Sequence, residues 1–423
     1  MGDHNGWTKI WLGELTEEAK GRINDATGKG RSVYGVDGHD GLVPQAKYMS
    51  SDLTRYKIVE PGMFAYNPMR LNIGSIGYCS DQYEPGLVSP DYVVFKCKEN
   101  LLLSEFLAWV TRGPEWMAWA SQAGVGSVRT RIYYQELSQL VITLPPVWEQ
   151  KEIALLLKGI AHQIELIEWM NKTLESIACA LFQSWFVNFD PVRARMEGRQ
   201  PFGIAAETAT IFPYAFDILP QGQIPAGWKV GSLEDVFDLT MGQSPPGESY
   251  NADGIGMPFY QGKTDFGFRF PSVRIHCTTP TRYANKGDTL VSVRAPVGEV
   301  NVAIERCTIG RGVAAVSHKS DSPSYTYYSM RAMRAAFMQY EGEGTVFGSI
   351  NKSDFQGLNV IIPSASVIEA FERLARPLDQ LIEANTMRTR SLSTVRDILL
   401  PKLLSGEVRV LDAEKIVEGK IAL

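Results

Sequence analysis

The feature that most constrains this chain is that it repeats itself: residues 126–186 lie over residues 344–404 at a constant offset of 218, without a gap. Ten of the 61 positions are identical, and matches fall where structure demands them, at Gly126/Gly344, Val128/Val346, Ile132/Ile350, Leu140/Leu358 and Pro145/Pro363. A segment carried twice is expected to fold twice. Beyond the prolines the apolar residues take heptad spacing. In the first copy one column reads Ile153, Ile160, Ile167, Leu174 and Leu181; a second, three residues on, reads Leu156, Gln163, Met170, Ile177 and Ser184. The offset copies are Phe371, Leu378, Asn385, Leu392 and Leu399, then Leu374, Leu381, Arg388, Val395 and Lys402, and are more polar in mid-helix. This pattern predicts a long, one-faced helix in each copy. Pro145-Pro146 and Pro363-Ser364 mark the entries and Asp190-Pro191 and Ser405-Gly406 the exits, while Pro377 predicts a kink or a late start in the second helix.

A single stripe of this kind can pack on its own globular neighbour or on a second copy of the chain. Two equivalent stripes in one chain can instead cover each other as an antiparallel pair with pseudo-two-fold symmetry. The packing residues expected are Ile153, Leu156, Ile160, Ile167, Leu174, Ile177 and Leu181 with Phe371, Leu374, Leu378, Leu381, Leu392, Val395 and Leu399. At ~1.5 Å per residue, Ile153 to Phe186 makes a rod of roughly 50 Å, long enough for a spacer.

The segments ahead of the helices also correspond. Residues 59–66 parallel 285–292, and Arg70 and Gly74 match Arg294 and Gly298 after a short slip. Alternation and β-branched residues predict strands here, with Pro68 and Pro296 in turns. Helical patches around 106–120 and 325–339 lead into Gly-rich stretches at Gly124 and Gly342, and 188–227, rich in Pro, Gly and Gln, reads as a connector. The fold class expected is α+β: two mixed α/β domains, 1–146 and 227–363, separated by long antiparallel coiled-coil helices. The first helix takes 147–187, the connector 188–226, and the second helix with a C-terminal tail 364–423.

At 423 residues and 44% apolar content the chain has ample material for more than one core. No apolar run approaches the roughly 18 to 20 residues that span a bilayer, and the N-terminus lacks the pattern of a signal peptide, so the cytoplasm is expected. Five scattered cysteines, none in a Cys-x-x-Cys pair, are read as reduced thiols rather than disulfides or zinc ligands. The net charge of -5 opposes nucleic-acid binding as a whole-chain property, yet between Lys263 and Arg311 eight cations face four carboxylates, enough for a local basic face.

No catalytic or metal constellation emerges. The five histidines share no ligand spacing, and neither a Gly-x-Ser-x-Gly elbow nor a phosphate-binding Walker loop occurs. What recurs in equivalent places is Arg, Asn, Gln, Lys and Ser on Gly-bearing loops. Arg and Lys suit guanine, Asn and Gln suit adenine, and hydroxyls and further cations suit phosphate. The candidate DNA-binding residues are Asn67, Arg70, Asn72, Ser75, Arg129 and Arg131 in the first half. In the second they are Gln243, Gln261, Lys263, Arg294, Ser349, Asn351 and Lys352.

These residues sit in segments that resemble the specificity subunits of Type I restriction-modification systems. YNPMRLNIGSI at 66–76 resembles a common segment of the family's first recognition domain. IPAGWKV at 224–230 and GQSP at 242–245 resemble the opening of a second, which PFYQGK at 258–263 and GDTLVSVRAPVG at 287–298 extend. PPVWEQ at 145–150 and LFQSWFV at 181–187 match the spacer helices, although Val367-Ile368 stands where the first copy has Glu149-Gln150, a change expected to weaken a cap or a partner contact. The resemblance covers nearly the whole chain. It implies two target-recognition domains, each reading half of a split asymmetric site in double-stranded DNA, with the helices setting the gap, about 15 base pairs for a ~50 Å rod at ~3.4 Å per pair. It also implies two methyltransferase subunits docked on the helices and restriction subunits that translocate and cut. S-adenosylmethionine, ATP and Mg would belong to those partners, with no cofactor on this chain. The alternatives are a single-chain DNA modification enzyme with an unrecognised catalytic part, and a coiled-coil scaffold without a DNA role.

Overall fold

The computed structural model describes residues 6–23, 31–38, 41–44, 50, 52–123, 131–220, 222–341, 348–417 and 419. The chain divides into two compact units, Met1–Ile167 with Arg388–Leu423, and Glu168–Met387, and each of the two long helices contributes to both.

In the first unit a four-stranded antiparallel sheet has the order Thr16–Glu18, Val93–Cys97, Met63–Tyr66, Ile76–Tyr78. Its two inner strands are buried on both faces. Because successive side chains of a strand point to opposite sides, Phe64, Tyr66 and Phe95 join one core while Ala65 and Val94 join another with Tyr34, Leu42 and Val59. Helices Ser104–Val110 and Pro114–Ala123 bring Phe106, Leu107 and Trp116 to the first of these cores, which also takes Ile153 and Leu157 from the first long helix and Leu399 and Leu403 from the second.

The second unit repeats this plan. Its sheet runs Phe237–Met241, Val313–His318, Thr289–Val293, Val297–Val302, with Val291, Ala314 and Val316 facing one core and Leu290, Val313 and Ala315 another. The repeat reaches further toward the N-terminus than the gap-free overlay. Strand Thr8–Trp11 pairs with Val141–Leu144 as Lys229–Ser232 pairs with Asn359–Ile362. The Leu12 N–H donates to the Leu140 carbonyl at 2.7 Å, and the Leu233 N–H to that of Leu358 at 2.8 Å. Trp7 and Trp228 thus open equivalent units.

The change from Glu149-Gln150 to Val367-Ile368 acts inside the units. Buried Glu149 accepts from Trp7 Nε1 at 2.8 Å and pairs with Arg409 at 2.8 Å; Gln150 bonds the backbone of Leu101, Leu103 and Pro145. In the second unit Val367 and Ile368 are simply buried apolar residues, and Trp228 Nε1 is left without a partner among the described residues.

The first long helix spans Val147–Phe182 and passes through a π turn, Gln183–Val187, to Phe189 at φ 58; Asp190-Pro191 then opens a new helix, Asp190–Met196. The stretch expected as a connector is therefore folded, and Phe189, Val192, Phe212 and Ile224 belong to the core of the second unit. The second long helix runs Ala365–Ser405 through Pro377. The late start does not occur; Pro377 is accommodated inside the helix because it and Arg373, whose carbonyl loses its bond, lie at the helix surface, where that carbonyl can be hydrated. A terminal helix, Val410–Val417, adds Val410 and Ala413 to the core of the first unit.

The heptad reading needs one correction. The first columns face inward, with Ile153, Ile160, Ile167, Phe371 and Leu399 buried and Leu174, Leu181, Leu378 and Leu392 half-buried. The second column lies four residues on, not three: Leu157, Ile164, Asn171 and Ala178 are buried, as are Ala375, Ile382 and Leu403, while Asn385 is a buried polar member of the first column. Ile177, Leu374 and Leu381 are instead exposed, and Leu156 and Val395 sit at the flank, half-buried. A period of 3.5 residues alternates steps of three and four, so periodicity alone does not say which step comes first. Within the second unit the helices run antiparallel: Phe182 meets Phe371 with ring centroids 5.6 Å apart, and Asn385 donates to Asn171 at 2.9 Å.

Two pairs of substitutions test these assignments by denaturant unfolding. Ile382→Ala is expected to cost ~2–5 kcal/mol, and its exposed neighbour Leu381→Ala within about 0.5 kcal/mol of zero. Trp7→Phe, which leaves one oxygen of buried Glu149 without its donor, is expected to cost ~1–3 kcal/mol more than Trp228→Phe, which removes no hydrogen bond.

Candidate nucleic-acid interface

In each unit the central strand turns into the edge strand through a hairpin that carries an arginine, Arg70 in the first and Arg294 in the second. The segment entering the repeat lies against that turn. The Ile132 N–H donates to the Pro68 carbonyl at 3.1 Å, and the equivalent Ile350 N–H to that of Val293 at 3.1 Å, with Ala295 N–H to Gly348 completing a bridge between Arg294 and Ser349. Arg131 and Ser349, themselves equivalent, are thereby set beside the two hairpin tips. Ile132 and Ile350 are buried and act as the pegs that hold this arrangement.

In the first unit Arg70 and Asn72 are exposed, and the Arg70 guanidinium has no partner among the described residues. Arg131 is exposed and donates to Tyr133 Oη at 3.1 Å. Two further candidates are taken up by the fold. Asn67 Oδ1 accepts from the Met69 N–H at 3.0 Å, shaping the turn, and Ser75 is buried with its hydroxyl 3.3 Å from the Val36 carbonyl. Ser75 is thus withdrawn from any ligand. Arg129 lies outside the described residues, as do the Gly126/Gly344 and Val128/Val346 pairs.

In the second unit the loops converge more closely. Gln261, Gly262, Lys263, Thr264, Arg294, Ala295, Pro296, Arg311 and Gly312 line an open recess of about 470 Å³. Arg311, one of the eight cations of the basic segment but absent from the candidate residues, is a full member. The signal for it was the flanking glycines, because a Cβ on Gly312 would stand 2.3 Å from the Gln261 carbonyl oxygen and one on Gly242 would stand 2.2 Å from that of Gly310. Only glycine lets these backbones approach. The Gln243 N–H bonds the Ile309 carbonyl at 3.0 Å and Ser244 lies under the Arg311 N–H, so exposed Gln243 borders the same loop. Ser349 and Lys352 reach the surface; Asn351 caps helix Lys352–Gln356, accepting from the Asp354 N–H at 2.9 Å, so its side-chain oxygen is already engaged.

The basic face expected from 263–311 is smaller than its complement of cations. Arg274 pairs with Asp265 at 2.5 Å, Lys286 with Glu383 at 2.6 Å and Lys263 with Glu299 at 3.4 Å, while Arg306 lies over the Tyr283 ring. Arg269 is buried altogether. Burial works against its charge, but Tyr327, Asp379, Tyr328 and Glu175 outweigh that effect and raise its pKa above the ordinary arginine value. Arg294 and Arg311 are exposed with no guanidinium partner among the described residues. A recess with two uncommitted guanidiniums, an amide and a hydroxyl on its rim can take anionic and acceptor-rich ligands, as phosphates and the guanine edge are.

Two α+β units of one topology, each presenting a polar hairpin tip, define a duplicated α+β protein. Residues 225–394 match the family described as Type I restriction modification DNA specificity domain. The chain is similar to the putative MjaX type I restriction enzyme specificity subunit of Methanocaldococcus jannaschii, 30% identical over 291 residues that make up 67% of this chain and 62% of that one. It therefore spans less than two thirds of that relative's length. It is 24% identical over 411 residues to the HindI type I restriction enzyme specificity subunit of Haemophilus influenzae, covering 83% of this chain and 88% of that one. The fold is shared with the crystal structure of a Type-I restriction-modification S subunit from M. genitalium, with a TM-score of 0.60 at 13% identity over 95% of this chain and 97% of that one. Residues 225–394 thus carry a Type I restriction modification DNA specificity domain, and the chain is similar over most of its length to Type I restriction enzyme specificity subunits.

Gly312→Ala is expected to force the Arg311 and Gln261 loops apart and to lower stability by ~1–3 kcal/mol, read as a fall in melting temperature.

Proposed function

We propose that the chain is the DNA-reading subunit of a Type I restriction-modification complex, with each unit reading one half of a bipartite, asymmetric double-stranded site. The observation that carries this reading is the repeated hairpin tip: Arg70 with Arg131 in one unit, Arg294 with Ser349 in the other, set by the equivalent buried isoleucines Ile132 and Ile350. The equivalent positions hold different side chains, arginine against serine, so the two half-sites differ. The DNA-binding set is Arg70, Asn72, Arg129 and Arg131 in the first unit and Gln243, Gln261, Lys263, Arg294, Arg311, Ser349 and Lys352 in the second.

The chain carries no chemistry of its own. Two methyltransferase subunits dock on the long helices and use S-adenosylmethionine, and restriction subunits use ATP and Mg. The helices, of 36 and 41 residues, set the gap between half-sites, and at ~1.5 Å per residue they measure roughly 54 and 61 Å. Exposed Leu166, Trp169, Ile177, Leu374 and Leu381 on them suit a protein partner. No helix among the described residues is long and apolar enough to cross a membrane. The complex would work in the cytoplasm.

Mapping methylated adenines on DNA incubated with the complex of this chain and its methyltransferase tests the reading. Methylation confined to one bipartite asymmetric sequence supports it; methylation without sequence preference overturns it. In the same assay the pair Arg294→Ala and Arg311→Ala is expected to relax selection at one half-site by ~1–3 kcal/mol for each base that is no longer read, leaving the other half-site unchanged. Uniform weakening across all sequences, with a shallower salt dependence, would instead assign both arginines to phosphates.

A further inference from the structure

The recess of the second unit has two walls of different origin. Arg294 stands on a turn of the four-stranded sheet and Arg311 on the turn that enters its strand Val313–His318, whereas Gln261, Lys263 and Thr264 belong to the loop through Arg274 that joins strands Met257–Tyr260 and His276–Cys277 of a second sheet. Buried Asp265 ties this loop to itself, accepting from the Gln261 N–H at 2.8 Å and pairing with Arg274. Asn301 holds both backbone groups of Gly267 at 3.0 Å, and the Arg269 carbonyl accepts from the Val302 N–H at 2.9 Å.

Arg269, 3% exposed, points its side chain the other way, toward the long helices. Its guanidinium reaches Asp379 on the second helix at 2.6 Å and Glu175 on the first at 3.4 Å, and lies 3.3 Å from the centroid of the Tyr327 ring. Tyr327 donates to Glu175 at 2.7 Å, Tyr328 donates to Asp379 at 2.8 Å, and Arg331 closes the network on Glu175 at 2.7 Å. Two guanidiniums and two carboxylates balance.

Stability alone does not call for such a network, since buried ion pairs are often replaced by apolar residues of similar volume without loss. Nor does the helix pair require it. In the gap-free repeat, Glu175 corresponds to Ser393 and Asp379 to Ala161, so the other end of the same helices does without both carboxylates. What the network adds is a fixed, directional tie between one loop and both helices, with a planar fork that a point charge would not reproduce.

We propose that Arg269 is a positioning residue for DNA reading, fixing the loop from Gln261 to Arg274 on Glu175 and Asp379 so that Gln261, Lys263 and Thr264 stand opposite Arg294 and Arg311. It rests on the reading of the recess as a DNA-binding surface. The residue touches no DNA; it acts through the loop it holds.

The test uses the complex with its methyltransferase and two series of DNA duplexes, each altered in one half-site. Arg269→Met, which keeps the volume, is expected to lower discrimination on the order of tenfold at the half-site assigned to the second unit by the Arg294→Ala and Arg311→Ala pair. Discrimination at the other half-site is expected to change by less than about twofold. Arg269→Lys, which keeps the charge but not the fork, should lose selectivity at the same half-site to a smaller extent. Glu175→Gln combined with Asp379→Asn should reproduce the methionine variant. Should the methionine variant fail to assemble, the lysine and carboxamide variants carry the same comparison. Equal loss at both half-sites in the assembled variants, or unchanged selectivity at both, overturns the positioning role. If the Arg294→Ala and Arg311→Ala pair leaves both half-sites unaffected, the recess itself is misread; if that pair acts and the Arg269 variants do not, only the positioning role fails.

Discussion

Burial of the helical stripes in the cores of the two units, to each of which both helices contribute, is the constraint on which the remaining structure depends. Neither stripe is stable alone in water, because a one-faced helix gains its stability from what covers the face. Here the cover is partly the other helix and partly the sheet-bearing domain. Ile153, Leu157, Leu399 and Leu403 share a core with Phe64 and Phe95, while Phe182 and Phe371 share one with Tyr325 and Tyr328. A domain that shares its core with a helix is fixed to it, and this is what allows a loop on the domain to have a defined place.

Polar groups inside that packing supply register rather than bulk stability. Asn171 and Asn385, both nearly fully buried, bond each other in a stripe otherwise made largely of apolar residues. A slip of either helix would leave two amides unpaired in an apolar surround, which costs more than the pair contributes. Glu149 with Trp7 and Arg409 serves the same end in the first unit. The ion network around Arg269 extends the principle from helix to loop in the second.

Much of this architecture is legible in the residues. The offset of 218 exposes the duplication, and Ile132 and Ile350 stand out by identity alone; the structure then places them as equivalent pegs under the hairpin tips. The loops themselves are harder to read. Arg269 and Arg311 look alike in sequence, both cations beside Gly or Phe, yet one is 3% exposed and the other faces solvent. Ser75 and Ser349 both belong to polar loops, and only one keeps its side chain at the surface. Trp7 and Trp228 do not show as a repeat signature because the insertion between them and the overlaid segment shifts their offset to 221.

The sequence by itself determined the two long helices, their equivalence and the α+β character of what precedes them, since all three are properties of local periodicity and self-similarity. Which step of the heptad faces inward, and which cations stay uncommitted, only the tertiary structure decided. The reason is that a 3.5-residue period is the same read from either column, and that a charge is neutralised by whatever lies beside it in space. For Arg269 that neighbour is Glu175, 94 residues away along the chain.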